Sequence, residues 1–169
     1  MKRLLRLALA IGIVAVTQAP APVGAAPPTR IGAGAISGTI DAGLLCPFAI
    51  DTGPVGTKSQ TQTTFYDQNH NVTRIAFTGP LFVFLTNDVT GKRIIVNASG
   101  PGTIYPHADG SSFNSGRGQG LIGLFPTDEG GPALLAVDGR DSFTRAPDGT
   151  IQNLVIVGNV TDLCAVLAG

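Results

Sequence analysis

The chain has 169 residues, 43% of them hydrophobic, with 11 basic and 11 acidic side chains, two Cys and no Trp. That balance excludes a nucleic-acid binder, which needs a basic stripe against the phosphate backbone, and the abundant Val, Ile, Leu and Phe exclude a disordered tail. Its 23 glycines follow no collagen period, so they read as bends in a β-rich domain.

In chain order, Met1-Lys2-Arg3 and Arg6 accompany an apolar run, Leu4–Val16, and Val23-Gly24-Ala25 supplies small residues for cleavage. This pattern predicts a signal peptide over 1–25 and a secreted product. The run is too short to span a bilayer and no later one reaches that length, so the mature protein is expected not to be membrane-spanning. Cleavage leaves about 144 residues, a single-domain length, with a net charge of about −3. Residues 26–34, rich in Pro, Ala and Gly, predict a flexible leader. A single domain is expected over 35–169, opening with a short strand at Ala35–Ile40.

Cys46 and Cys164 make an even count in an exported chain, which predicts a disulfide. Neither lies in a C-x-x-C motif or has an obvious His partner to activate a thiol.

From Cys46 onward, turn signals fall at Asp67–Asn71, Asn87–Gly91, His107–Gly110, Thr127–Gly131 and Pro147–Gly149, about 20 residues apart. The runs between them are Cys46–Tyr66, Val72–Thr86, Lys92–Tyr105, Ser111–Phe125, Pro132–Arg145 and Thr150–Val160. Each carries a glycine near its middle: Gly53, Gly79, Gly100 with Gly102, Gly118, Gly139 and Gly158. Such a glycine marks a bulge or a sharp bend. The expected fold is all-β, an antiparallel meander closing into a barrel, since closure removes exposed strand edges. In the alternative, each bend is a change of sheet and the result is a β-sandwich. Thr161-Asp162 then caps a short C-terminal helix, Leu163–Ala168.

Chemical motifs are few. His70 and His107 fall in turns, and no nucleophile elbow accompanies them, so no catalytic triad is predicted. Asp67–Asn71 opens like a calcium loop, but Val72 and Thr78 stand where such a loop needs Gly and a bidentate Glu; it reads as an Asx turn, with no metal. Gly116–Gly120 precedes Leu121-Ile122 and not a helix, so it cradles no phosphate, and no cofactor is expected. Asn71, Asn97 and Asn159 each begin an N-x-S/T triplet.

The candidate ligand site draws on Arg117, Asp138, Arg140 and the aromatic residues Phe77, Phe82 and Phe84. Along Pro132–Arg145, Leu134, Ala136, Asp138 and Arg140 share one face, while Leu135, Val137 and Phe143 share the other with Gly139 and Asp141. If the strand is unbroken, Asp138 and Arg140 point into the interior as a polar anchor. If Gly139 is a bulge, both charges turn outward, and this second reading is favoured.

Leu121–Arg140 (LIGLFPTDEGGPALLAVDGR) and Val160–Ala168 (VTDLCAVLA), with Cys46-Pro47-Phe48 and Gly100-Pro101-Gly102, resemble a group of small exported bacterial proteins. The resemblance spans nearly all of the mature chain. It implies export, a disulfide and a β architecture, and carries no activity with it. In outline the meander is also similar to lipocalins and to the barrels of dirigent proteins and allene oxide cyclases, without the G-x-W of lipocalins.

The leading functional expectation is a secreted, non-enzymatic binder of a small apolar ligand or a cell-envelope component. Two alternatives stand beside it: a barrel enzyme of the cyclase or isomerase kind, and a structural or inhibitory protein acting through its loops. A ligand-sized interior cavity would separate the first two from the third.

Overall fold

A computed structural model describes residues 24–35, 37–57 and 60–169. The predicted signal peptide lies outside the described residues except for Gly24 and Ala25, both exposed. The described chain forms two antiparallel sheets and one short helix. Neither sheet closes on itself.

The chain passes repeatedly between the sheets. Strands β1 (Thr29–Ala33), β4 (Gln60–Tyr66), β5 (Val72–Thr78) and β8 (Gly102–Pro106) belong to a seven-stranded sheet. Strands β2 (Gly38–Ile40), β3 (Ile50–Pro54), β6 (Phe82–Asn87) and β7 (Arg93–Asn97) form a four-stranded sheet ordered β2-β3-β6-β7. Each of the first three long runs is therefore two strands in two different sheets. Two of the breaks carry Gly79-Pro80 and Gly100-Pro101, and Gly53-Pro54 forms the end of β3 just before the third. Proline has no N–H to give a ladder and biases its predecessor toward extended backbone, so the strand ends at or beside it and the chain can change direction.

The last three runs stay whole. Strands β9 (Ser112–Leu124), β10 (Ala133–Arg145) and β11 (Ile151–Asp162) complete the larger sheet, in the order β1-β4-β5-β8-β9-β10-β11. Gly118 faces Gly139 and Gly139 faces Gly158, so the three central glycines form one row across the sheet. A Cβ on Gly139 would collide with the carbonyl of Val157, and Gly158 has φ of 141°, which suits glycine alone. The sheet folds along this row. An extended β10 of 13 residues would hold its ends about 40 Å apart. Instead the loop after Leu124, which pairs with Ala133 at one end, docks on Ile151, which pairs with Arg145 at the other. Asp128 is the latch. It is buried, its Oδ1 accepts from the Ile151 N–H at 2.7 Å, and its Oδ2 accepts from the Phe125 N–H at 2.7 Å. Ile122, Leu124, Val137 and Ile151 gather inside the curl, with Leu135 and Phe143 against them.

A second core lies between the four-stranded sheet, β10 and the helix α1 (Leu163–Ala168). Asp162 caps α1, accepting from the N–H groups of Cys164 (2.8 Å) and Ala165 (3.2 Å), which satisfies two of the first-turn donors. Leu163 and Leu167, one turn apart, meet Leu45, Ile50, Leu85 and Leu134. Cys46 and Cys164 are bonded, with Cα atoms 5.4 Å apart across 118 residues, so the bridge fastens the end of the chain to its beginning.

The segment 26–34, expected as a flexible leader, supplies β1. Its five residues pair with β4 along the sheet edge, while Ile31 stays 59% exposed. Backbone hydrogen bonding to a free edge, not apolar burial, orders it, and hydrophobic pattern carries no sign of that.

Candidate functional site

Where the chain crosses between sheets, backbone groups lose their ladder partners and need others. Ser99 supplies two: its Oγ accepts from the Leu81 N–H at 2.8 Å and donates to the Leu81 carbonyl at 3.2 Å. Gln60 donates from Nε2 to the carbonyls of Ala98 (3.3 Å) and Gly100 (3.4 Å). These crossings border a cavity of about 400 Å³.

Its floor is set by strand register. Phe77 lies opposite Gly102, Gly102 opposite Gly116, and Gly116 opposite Asp141. Cross-strand partners share a face, so these four make one row in which the two middle positions have no side chain. The next row, Ile75, Ile104, Asn114 and Phe143, is filled. The hollow is thus made by two adjacent glycines flanked by a phenylalanine and an aspartate. Asp141 leans over the gap: a Cβ on Gly116 would stand 2.5 Å from its Oδ1. Leu81, Val83, Leu121 and Ile122 add apolar wall.

Asp141 is half-buried, and burial holds its carboxyl above the ordinary carboxylate range. Desolvation is the sole cause; among the described residues no donor or cation offsets it. Two arginines border the cavity. Arg145 is exposed, donates to the Gly149 carbonyl at 2.6 Å and lies over the Phe143 ring. Arg117 is also exposed, directly across from Arg140, on the register that faces outward.

The turn aspartates show the opposite electrostatics. Hydrogen bonds from Asn71 hold Asp67 below its usual value, and Ser111 and Thr150 do the same for Asp109 and Asp148. Asp67 Oδ1 accepts from the N–H groups of Asn69 (2.8 Å) and Asn71 (2.9 Å), which is Asx-turn geometry. His70, at positive φ, and His107, bonded to Ser111 Oγ, are both exposed in turns. Among the described residues, no three His, Cys, Asp or Glu gather as a metal set.

Of the sequence-predicted ligand residues, Phe77 and Arg117 line the cavity. Phe82, Phe84, Asp138 and Arg140 lie outside it. Phe82 is exposed, and Phe84 sits under the Arg93 guanidinium, 3.9 Å from its ring centre. Both belong to the face of β6 opposite Val83 and Leu85, the two residues that enter the core. Asp138 and Arg140 are exposed, but not through a bulge: the β9–β10 register runs unbroken from Ala133 to Arg145. They follow Leu134 and Ala136 on the outer face, which is packed against the second core at those two residues and exposed at Asp138 and Arg140. Asp141, Asn114, Gly102 and Gly116 were missed. The signal for Asp141 was present, since it shares its face with Val137 and Phe143, apolar residues on both sides of an acid.

A second groove, about 430 Å³, runs beside the disulfide between Leu45, Phe48, Pro132 and Ala165. Its one carboxylate, Asp162, is engaged in capping α1.

No helix among the described residues is long and apolar enough to cross a membrane. Comparison with protein-family models, with curated proteins and with solved structures returns no match.

Proposed function

We propose that the protein is exported and binds a small, largely apolar molecule in the cavity where its two sheets meet. The cavity itself carries this reading: about 400 Å³ of space lined mainly by glycine and apolar residues, with polar side chains among them, within the range of small-molecule sites. The two sheets then act as the wall of a flattened, barrel-like container around the ligand. Export is supported by the N-terminal pattern of basic residues, apolar run and small residues, by the Cys46–Cys164 bridge, and by the resemblance to small exported proteins.

One observation favours a second reading, a proton-transfer enzyme of the cyclase or isomerase kind. A carboxyl raised by burial inside a cavity is suited to hold and release a proton. Among the described residues no hydrogen-bond donor or cation acts on that carboxyl as a partner in catalysis, so binding is preferred. The loop-acting alternative requires a filled interior, which the cavity opposes.

The test is calorimetric titration with octanol, on the wild-type protein and on Gly102→Leu. A Cβ on Gly102 would have its nearest neighbour at 3.8 Å, so the larger side chain has room to enter the floor and fill the hollow. Saturable binding that Gly102→Leu abolishes supports the reading. Equal binding by the two proteins, or none by either, refutes it.

A further inference from the structure

Among the described residues the cavity lining carries a single carboxylate, Asp141, and two arginines, Arg117 and Arg145, both exposed at its rim. Asp141 stands over the Gly102–Gly116 gap, with Phe77 at the far end of the same row. Arg145 is committed to the Gly149 carbonyl, and Arg117 lies with Arg140 on the outward register. A charge taken out of water needs a partner, and among the described residues the chain supplies none. A neutral apolar occupant would displace water from the carboxylate and replace it with nothing. An anionic occupant would add like-charge repulsion at a partly desolvated carboxylate. A cation on an apolar body satisfies both parts of the surface, since its charge pairs with Asp141 while its body covers the glycine floor and the Phe77 ring.

We propose that the ligand of this cavity is an amphipathic cation, a protonated amine on an apolar body, with the ammonium against Asp141 and the body over Gly102 and Gly116 toward Phe77. This rests on the reading of the cavity as a ligand site and adds the chemical class. Gly116 is the second element of the site. The bare Cα lets the carboxylate lie flat against the sheet, and a methyl group there would push it aside.

The experiment titrates octylamine, octanol and octanoate, eight-carbon chains with cationic, neutral and anionic head groups, into the wild-type protein, Asp141→Asn and Gly116→Ala at neutral pH. Wild type should bind octylamine at least about tenfold tighter than octanol, as a charge-assisted hydrogen bond provides, and octanoate weakest. Asp141→Asn should bring octylamine down to the octanol level while octanol binding persists, which also shows that the variant is folded. Gly116→Ala, at a position with ordinary φ, should reduce the preference for the amine by displacing the carboxylate. Equal affinity of octylamine and octanol for wild type overturns the inference and leaves the apolar cavity standing. Octanoate binding tightest overturns it in favour of the rim arginines. Binding of none of the three overturns this inference and the cavity reading together.

Discussion

The runs before Tyr105 and those after Ser111 carry the same signal, a glycine at mid-run, and use it in two ways. Before Tyr105 each run carries a Gly-Pro pair, as Gly53-Pro54, Gly79-Pro80 and Gly100-Pro101, and at or just after it the chain leaves one sheet for the other. After Ser111 the glycines stand without proline, before Gln119, Arg140 and Asn159, and the strands continue through them. The physical distinction is a lost donor. Glycine alone keeps its N–H and lets neighbouring backbones approach, so the ladder bends. Glycine with proline removes a ladder donor, and the strand ends at or beside it. One half of the molecule is consequently two-sheeted and the other is a single folded sheet. The cavity lies where they join.

The disulfide ties these halves together, so breaking it gives the largest expected effect. Closing a loop of 118 residues is worth about 4–5 kcal/mol in the chain-entropy model. Thermal unfolding with and without reductant, and of the Cys46→Ala, Cys164→Ala double variant, should show the melting temperature falling by many degrees. An unchanged melting temperature would mean that the halves hold together without it.

Moving the proline sharpens the comparison. Arg140→Pro places proline after a bending glycine, inside a central strand paired on both sides, and should cost about 3 kcal/mol or more in denaturant unfolding. Pro80→Ala, at an exposed crossing already held by Ser99, should cost about 1 kcal/mol or less. Equal costs would remove the distinction between bend and break.

The smallest effect is electrostatic and depends on pH. Asp141 has a folded-state pKa raised by burial. Between its unfolded and folded values the native state binds more protons, so its contribution to stability falls as pH rises through that window. Asp141→Asn should therefore raise the melting temperature slightly at neutral pH, with the gain vanishing in acid. Asp109 is depressed by the Ser111 hydrogen bonds, so its contribution is present at neutral pH and lost as pH falls through its folded value. Asp109→Asn should lower the melting temperature at neutral pH, with the deficit closing in acid. The same sign for the two variants would contradict the assignment of their environments.

Much of this was legible in the sequence. The turns, the helix with its Asp162 cap, the Cys46–Cys164 pair and the mid-run glycines all rest on local chemistry. The partition between sheets was legible too, in the prolines, although the even spacing of the runs suggested six equivalent bent strands. The site was less legible because a cavity is made by what faces what. Phe77, Gly102, Gly116 and Asp141 are dispersed along the chain and meet only through three register pairings. Alternation along β10 puts Asp141 on one face with the apolar Leu135, Val137 and Phe143, yet the other face, with Asp138 and Arg140 as an opposite-charge pair, reads as the one able to turn to the interior. Nor does local pattern disclose that the outer face is packed at Leu134 and Ala136 and exposed at Asp138 and Arg140, because that depends on the packing of distant elements.

The central claim is that the gap over Gly102 and Gly116 is a ligand site and not merely imperfect packing. The most direct measurement is a two-dimensional amide NMR titration of the mature protein with octylamine. The account predicts saturable shifts centred on Gly102, Asn114, Gly116 and Asp141, with the α1 and Cys46 amides unmoved. Shifts centred on the groove beside the disulfide, or none at saturating octylamine, would contradict it.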